Sequence, residues 1–162
     1  MAGHDAERQM SASFRLRLRP YRADDEDAAI ALWLKTWQQA YPSIDFAARV
    51  PWWRERWRNE LVPNAAIVVA EEAGALVGFV TLDANSYLDQ IVVAPDRWGS
   101  KLADTLVDEA KRLSAESITL LVNEDNTRAI RFYERNGFVH AGQDVNPTSG
   151  RPVLKMIWTA TA

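Results

Sequence analysis

The chain has 162 residues, 48% of them apolar, and a formal charge of −3, which suits one ordinary packed domain and offers no basic stripe for a nucleic-acid partner. It has no cysteine, and its two histidines, His4 and His140, stand far apart in the sequence. A disulfide frame, a thiolate nucleophile, a zinc site or a Ser-His-Asp arrangement therefore has little to be built from, no metal is expected, and the chemistry falls to oxygen and nitrogen groups.

Met1 to Ser13 is polar and aperiodic and reads as a flexible arm ahead of a single domain over 14–160. It lacks the apolar stretch of a secretory leader, and no later run approaches the ~20 residues of a membrane span, so a cytoplasmic protein with no membrane partner is expected. Phe14 to Arg19 alternates apolar with basic and predicts a half-exposed strand stopped by Pro20. The acidic run Asp24 to Asp27 then suits the first turn of a helix over Ala28 to Ala40, with Ile30, Trp33, Leu34 and Trp37 as its apolar stripe. After Tyr41-Pro42-Ser43, a second helix is predicted over Phe46 to Leu61, with Val50, Trp53, Trp57 and Leu61 on one face and Pro51 near its start. Five of the seven tryptophans fall in these two helices, and core packing is the default reading for each.

Ala65 to Ala70 and Leu76 to Leu82 are apolar strands joined through Glu71-Glu72-Ala73-Gly74. Tyr87 to Val93 is a further strand, its β-branched Ile91, Val92 and Val93 closed off by Pro95. Beyond it Leu102, Leu106, Ala110 and Leu113 recur at helical steps. The loop between, Pro95-Asp96-Arg97-Trp98-Gly99-Ser100, leaves the amides at the helix start uncrowded, and strand, glycine loop and helix in this order suit a phosphate or diphosphate. The same pattern also serves as a plain turn, and neither GxxxxGK[ST] nor GxGxxG is present.

Ile118 to Val122 reads as a buried strand, and Asn126 or Thr127 as the cap of a short helix that packs through Ala129, Ile130, Phe132 and Tyr133. Gly137 suits the left-handed position that ends it. Phe138 to Gln143 and Val153 to Trp158 complete the strands, the last with an edge suited to pairing with a second copy in a homodimer. Strands paired first by hairpins and later joined through helices predict a mixed sheet with helices on its faces.

With Pro95-x-x-x-Gly99-x-x-x-Ala103 after a strand, then Asn126-x-x-Ala129-x-x-Phe132-Tyr133-x-x-x-Gly137-Phe138, the sequence resembles the GNAT superfamily of N-acetyltransferases over roughly Phe14 to Trp158. The resemblance implies an α/β fold with a mixed, mostly antiparallel sheet of about seven strands and about four flanking helices. It also implies transfer of the acetyl group of acetyl-CoA, the cosubstrate, to a primary amine of a small molecule or a protein by direct attack in a ternary complex. Trp98, Gly99, Ser100, Lys101, Leu102, Ala103 and Asp104 would then meet the diphosphate through their amides, Ile91, Val92 and Val93 would pair with the pantetheine arm, and Asn126 would touch the cofactor. An N–H near Val92 or Val93 would hold the oxyanion. Tyr133 would be the general acid on the thiolate, and Asp89 the first candidate base, with a structural role for Asp89 equally open. Trp37, Tyr41, Trp52 and Tyr87 fall on the acceptor side. Lys101 departs from the family, which has a glycine there, and this keeps a non-catalytic acyl-CoA-binding or interaction module as the alternative.

Overall fold

The computed structural model describes residues 16–147 and 149–161; the arm over 1–13 and the first two residues of the expected opening strand lie outside them. The strands are β1 (Leu16–Pro20), β2 (Ala65–Glu72), β3 (Ala75–Asp83), β4 (Leu88–Val93), β5 (Ser117–Asn123), β6 (Val139–Val145) and β7 (Pro152–Thr159). The helices are α1 (Glu26–Ala40), α2 (Val50–Arg56), α3 (Leu102–Leu113) and α4 (Thr127–Arg135). Strands β1-β2-β3-β4 form one antiparallel sheet in chain order, and β5-β7-β6 form a second. The two touch through a single parallel bridge between Tyr87 and Thr119, reinforced where the Thr119 N–H donates to the Ser86 carbonyl at 2.9 Å. That bridge is the only parallel pairing among the described residues.

The predicted second helix is helical throughout 47–64, with a 3₁₀ turn at Ala47–Arg49 leading into α2, but it is not α-helical to its end. Its last turn, Trp57–Leu61, widens to a π turn and is followed by Val62–Asn64. Pro63 explains the widening, since it supplies no N–H to the carbonyl four residues earlier and its ring crowds that carbonyl. Trp57 and Leu61 nevertheless both stay buried. Trp33 lies flat on Trp53, with ring centroids 4.8 Å apart, and Trp57 stands edge-on to Phe79 of β3 at 5.2 Å. The tryptophan layer thus glues α1 and α2 to one face of the first sheet. Helix α3 packs through Leu102, Leu106, Val107 and Ala110, whereas Leu113, expected on that stripe, ends the helix and is exposed.

The final strand is a correction. β7 lies between β5 and β6, so Val153 to Trp158 has no free edge to offer a second copy. The free edge of that sheet belongs to β6, exposed along its whole length.

Asp25, buried at 7% exposure, ties β1 to the start of α1. Its carboxylate accepts two bonds of 2.7 Å from the Arg19 guanidinium and one of 2.8 Å from the Arg22 N–H. The Arg19 hydrogen bonds hold the Asp25 carboxyl below its ordinary value against the opposing effect of burial. A carboxyl depressed by folding binds fewer protons in the native than in the unfolded chain, so its contribution is complete above the unfolded pKa of about 3.9 and is lost as pH falls through the depressed value. Asp25→Asn is expected to lower unfolding stability at pH 7 by about 1–3 kcal/mol and to flatten its decline below about pH 5. Urea titrations at pH 7 and pH 4 check both; an unchanged acid limb would show that Asp25 does not link folding to protons.

Candidate active site

The site grows from the point where β4 and β5 part. The Ala94 N–H donates to the Val77 carbonyl at 2.8 Å, and Phe79 pairs with Val92, which sets the phase of the antiparallel ladder. Alternation then gives the Val92 backbone to β3 and turns the N–H and C=O groups of Ile91 and Val93 outward, toward the space that β5 vacates beyond Thr119. The Val93 carbonyl is already taken by the Trp98 indole N–H at 2.9 Å and the Thr36 hydroxyl at 3.4 Å. The Val93 N–H and both polar groups of Ile91 remain to line a groove. Of the two N–H groups considered for an oxyanion, only that of Val93 faces it.

At the end of the groove, Pro95–Arg97 forms a single 3₁₀ turn and Gly99 adopts φ +84°, a left-handed conformation that disfavours any side chain. Not all the loop amides expected for phosphate are free. Those of Trp98 and Ser100 donate to the Pro95 and Arg97 carbonyls at 3.2 and 3.1 Å, and that of Leu102 to the Ser100 hydroxyl at 3.3 Å. The N–H groups of Gly99, Lys101, Ala103 and Asp104 have no partner among the described residues and lie in or just before the first turn of α3, its positive end. Lys101 sits at φ −86°, ψ 6°, a conformation open to any residue, so glycine is not required there for backbone reasons. The Asp104 carboxylate accepts from the Asn136 side chain at 3.1 Å, toward the C-terminal end of α4. Arg128 of α4, which the sequence did not single out, stacks its guanidinium 5.2 Å over the Trp98 ring.

Asn126 caps α4 by accepting from the Ala129 N–H at 3.2 Å, which leaves its side-chain NH₂ without a partner among the described residues. Tyr133 is the buried residue of α4, 8% exposed, packed against Phe132 and edge-on to Phe138 at 5.5 Å. Ala129, Ile130 and Phe132, expected on the same face, are half-buried. Burial pushes the Tyr133 phenol well above its ordinary range, with a smaller push from Tyr87, so it is protonated at any physiological pH.

Asp89 is held by Arg56 of α2, whose two terminal nitrogens donate to its two oxygens at 3.0 and 2.5 Å, while the Gln90 side chain donates to one of them at 3.0 Å. Nothing local announces this partner, which lies 33 residues away. The pairing favours the structural role over that of a base, because a carboxylate clamped by a guanidinium orients its neighbours. Tyr87 lies beside this pair, and burial first, then Asp89, pushes its phenol up to about 12.

On the acceptor side, Trp37 stacks on Tyr41 at 5.8 Å, and the Tyr41 hydroxyl accepts from the Asn123 side chain at 3.4 Å. Arg151 reaches over the Tyr41 ring at 5.9 Å while paired with Asp125 at 2.6 Å. These contacts bring the end of α1 to the end of β5, beside an open cavity of about 560 Å³ lined by Glu124, Asp125, Arg151 and Pro152. Trp52, expected with this group, is 46% exposed on α2 and its ring lies against Trp53.

The profile of the Acetyltransferase (GNAT) family matches residues 26–138. A peptidyl-lysine N-acetyltransferase, YjaB of Salmonella typhimurium, is 28% identical over 88% of this chain and 98% of its own. The solution structure of apo-form YjaB from Escherichia coli superposes with a TM-score of 0.72 at 25% identity, over 90% of this chain and 99% of that one. A PaiA N-acetyltransferase from Thermoplasma acidophilum, solved in complex with coenzyme A, shares the fold with a TM-score of 0.69 at 20% identity, over 89% of this chain and 98% of that one. The chain belongs to the GNAT acetyltransferase family and is an N-acetyltransferase that takes its acetyl group from acetyl-CoA.

Proposed function

We propose that this chain works in the cytoplasm and acetylates the side-chain amine of lysine in a protein or peptide, by direct attack on acetyl-CoA in a ternary complex. The observation that carries this reading is the groove where β4 and β5 part, with outward amide groups on Ile91 and Val93; α4 adds a protonated phenol, Tyr133. The peptidyl-lysine relatives, matched over nearly their full length, support lysine over a small-molecule amine.

The free N–H groups of Gly99, Lys101, Ala103 and Asp104 hold the diphosphate, and those of Ile91, with its carbonyl, pair with the amides of the pantetheine arm as an added strand would. The Asn126 side-chain NH₂ adds a donor. The Val93 N–H receives the thioester oxygen as it becomes an anion, a contact of a kind worth about 3–4 kcal/mol. Tyr133 gives its proton to the departing thiolate. Asp89, clamped by Arg56, orients the acceptor end, and the acceptor ammonium sheds its proton to water. Tyr41 and Trp37 flank the incoming chain.

A first test is calorimetric titration with acetyl-CoA, followed by acetyl transfer to lysine peptides; binding without turnover on any amine would favour the non-catalytic alternative. Tyr133→Phe is expected to lower kcat by about 10²–10⁴ and to leave acetyl-CoA affinity nearly unchanged, and an unaltered kcat would remove Tyr133 from the reaction. With water as the proton acceptor, kcat/KM for a lysine peptide is expected to rise tenfold per pH unit toward the lysine pKa of about 10.4; a plateau near neutrality that Asp89→Asn abolishes would restore Asp89 as a base. Lys101→Gly is expected to change acetyl-CoA affinity by no more than about fivefold, since an exposed charge near a helix start is worth roughly 0.3–1 kcal/mol. A larger loss by titration would assign the diphosphate to the ammonium instead of the amide.

A further inference from the structure

The diphosphate of acetyl-CoA is a dianion, and the loop assigned to it brings no net charge of its own. From Pro95 to the first turn of α3 the charged residues are Asp96, Arg97, Lys101 and Asp104. Arg97 is turned to β2, where its guanidinium pairs with Glu72 at 2.8 Å. Lys101 is left as the one cation of that stretch without a carboxylate partner among the described residues. Amides and a helix dipole supply partial charges only, so a further cation from outside the loop would complete the site.

Arg128 is that cation. It is the second residue of α4, and its guanidinium carbon lies 5.2 Å from the centre of the Trp98 ring. Trp98 is itself fixed, because its indole N–H donates to the Val93 carbonyl at 2.9 Å, and it directly precedes Gly99, the first of the free amides. The contact thus ties the start of α4 to the corner where the groove along β4 ends and the diphosphate loop begins. A guanidinium held by an aromatic ring keeps its N–H donors for other acceptors, and Arg128 has no hydrogen bond or ion pair among the described residues. Its side chain is exposed, so the ring holds it in place without burying it. Around it the N–H groups of Thr127 and Arg128 and the side-chain NH₂ of Asn126 are also without partners among the described residues.

We propose that Arg128 is a coenzyme-binding residue whose guanidinium, held by Trp98, pairs with the diphosphate of acetyl-CoA from α4 while the amides of Gly99, Lys101, Ala103 and Asp104 hold it from α3. The inference rests on the placement of the diphosphate at that loop. A planar guanidinium can give two parallel N–H bonds to phosphate oxygens, and one already positioned on a ring loses less freedom when the ligand arrives than a side chain moving in solvent. The Trp98–Arg128 contact then also fixes the two helix starts relative to each other around one anion.

The test compares three ligands: acetyl-CoA and its 3′-dephospho form by calorimetric titration, and S-acetylpantetheine, which lacks both phosphate groups, by NMR chemical-shift titration. Arg128→Ala and Arg128→Gln, the second keeping a stem to lie on Trp98, are expected to bind acetyl-CoA and the dephospho form alike roughly ten- to a hundredfold more weakly. Both are expected to hold S-acetylpantetheine as the native chain does and to keep its melting temperature. Arg135→Ala removes the same charge from the same helix, where the guanidinium lies 5.9 Å over Phe132, and is expected to change each affinity by less than about threefold. An unchanged acetyl-CoA affinity in either Arg128 variant, an equal loss on S-acetylpantetheine, or an equal loss in Arg135→Ala overturns the proposal. A loss confined to acetyl-CoA moves the guanidinium to the 3′-phosphate and overturns it as well. A native chain that binds all three ligands equally well defeats the placement of the diphosphate at the loop, which separates failure of that reading from failure of Arg128.

Discussion

Strand β4 has a complete hydrogen-bonded neighbour on one side and almost none on the other. It is paired with β3 from Leu88 to Val93, yet meets β5 only at Tyr87 and Thr119 before the two diverge. Backbone amides buried without partners cost about 1–3 kcal/mol each, so a fold that opens a seam beside a central strand must leave it wet or fill it with something that carries amides. An extended chain of alternating amide and methylene groups is what such a seam accepts, and the pantetheine arm of acetyl-CoA is one. The opening is held at its apex by a short hydroxyl chain, in which Ser86 and Ser114 lie 2.6 Å apart and Ser114 donates to the Ser117 carbonyl at 2.7 Å. This chain joins the end of α3 and the start of β5 to the β3–β4 turn, so that the strands separate from a fixed point.

The same separation places the start of α3 at the mouth of the seam. The indole of Trp98 takes the Val93 carbonyl, ending the row of groups that face the groove and turning the chain toward α3. Gly99 makes the turn by going left-handed, and Lys101 follows in an ordinary conformation. The family's glycine at the Lys101 position is therefore not dictated by backbone shape in this chain. What the loop offers a diphosphate is four N–H groups and the helix dipole, with one ammonium nearby, in a protein whose net charge is −3.

Elements that announce themselves locally were legible in the sequence. The 3.6-residue pattern located α3, the cap at Asn126 and the stop at Gly137 bounded α4, and Ala73-Gly74 marked the hairpin between β2 and β3. What was not legible depends on distant pairing. Nothing around Val153 to Trp158 says that β6 as well as β5 will flank it, because an apolar alternation fixes which face is buried but not which strands lie beside it. Arg56 is one of several arginines in the sequence around α2, and only the folded register places it on Asp89. Trp98 read as part of a loop, while its indole proved to be a backbone donor in its own right.

The two ionisable residues that the family resemblance singled out end in opposite environments. Tyr133 stands in apolar surroundings that favour the neutral phenol, and Asp89 in a guanidinium clamp that commits both its oxygens. The phenol resists losing its proton, and the carboxylate is tied to its guanidinium partner. Acetyl transfer to an amine nonetheless requires a proton to reach sulfur and another to leave nitrogen. On the reading proposed for this chain, Tyr133 gives the proton to sulfur and the nitrogen's proton leaves to water on the open side of the seam.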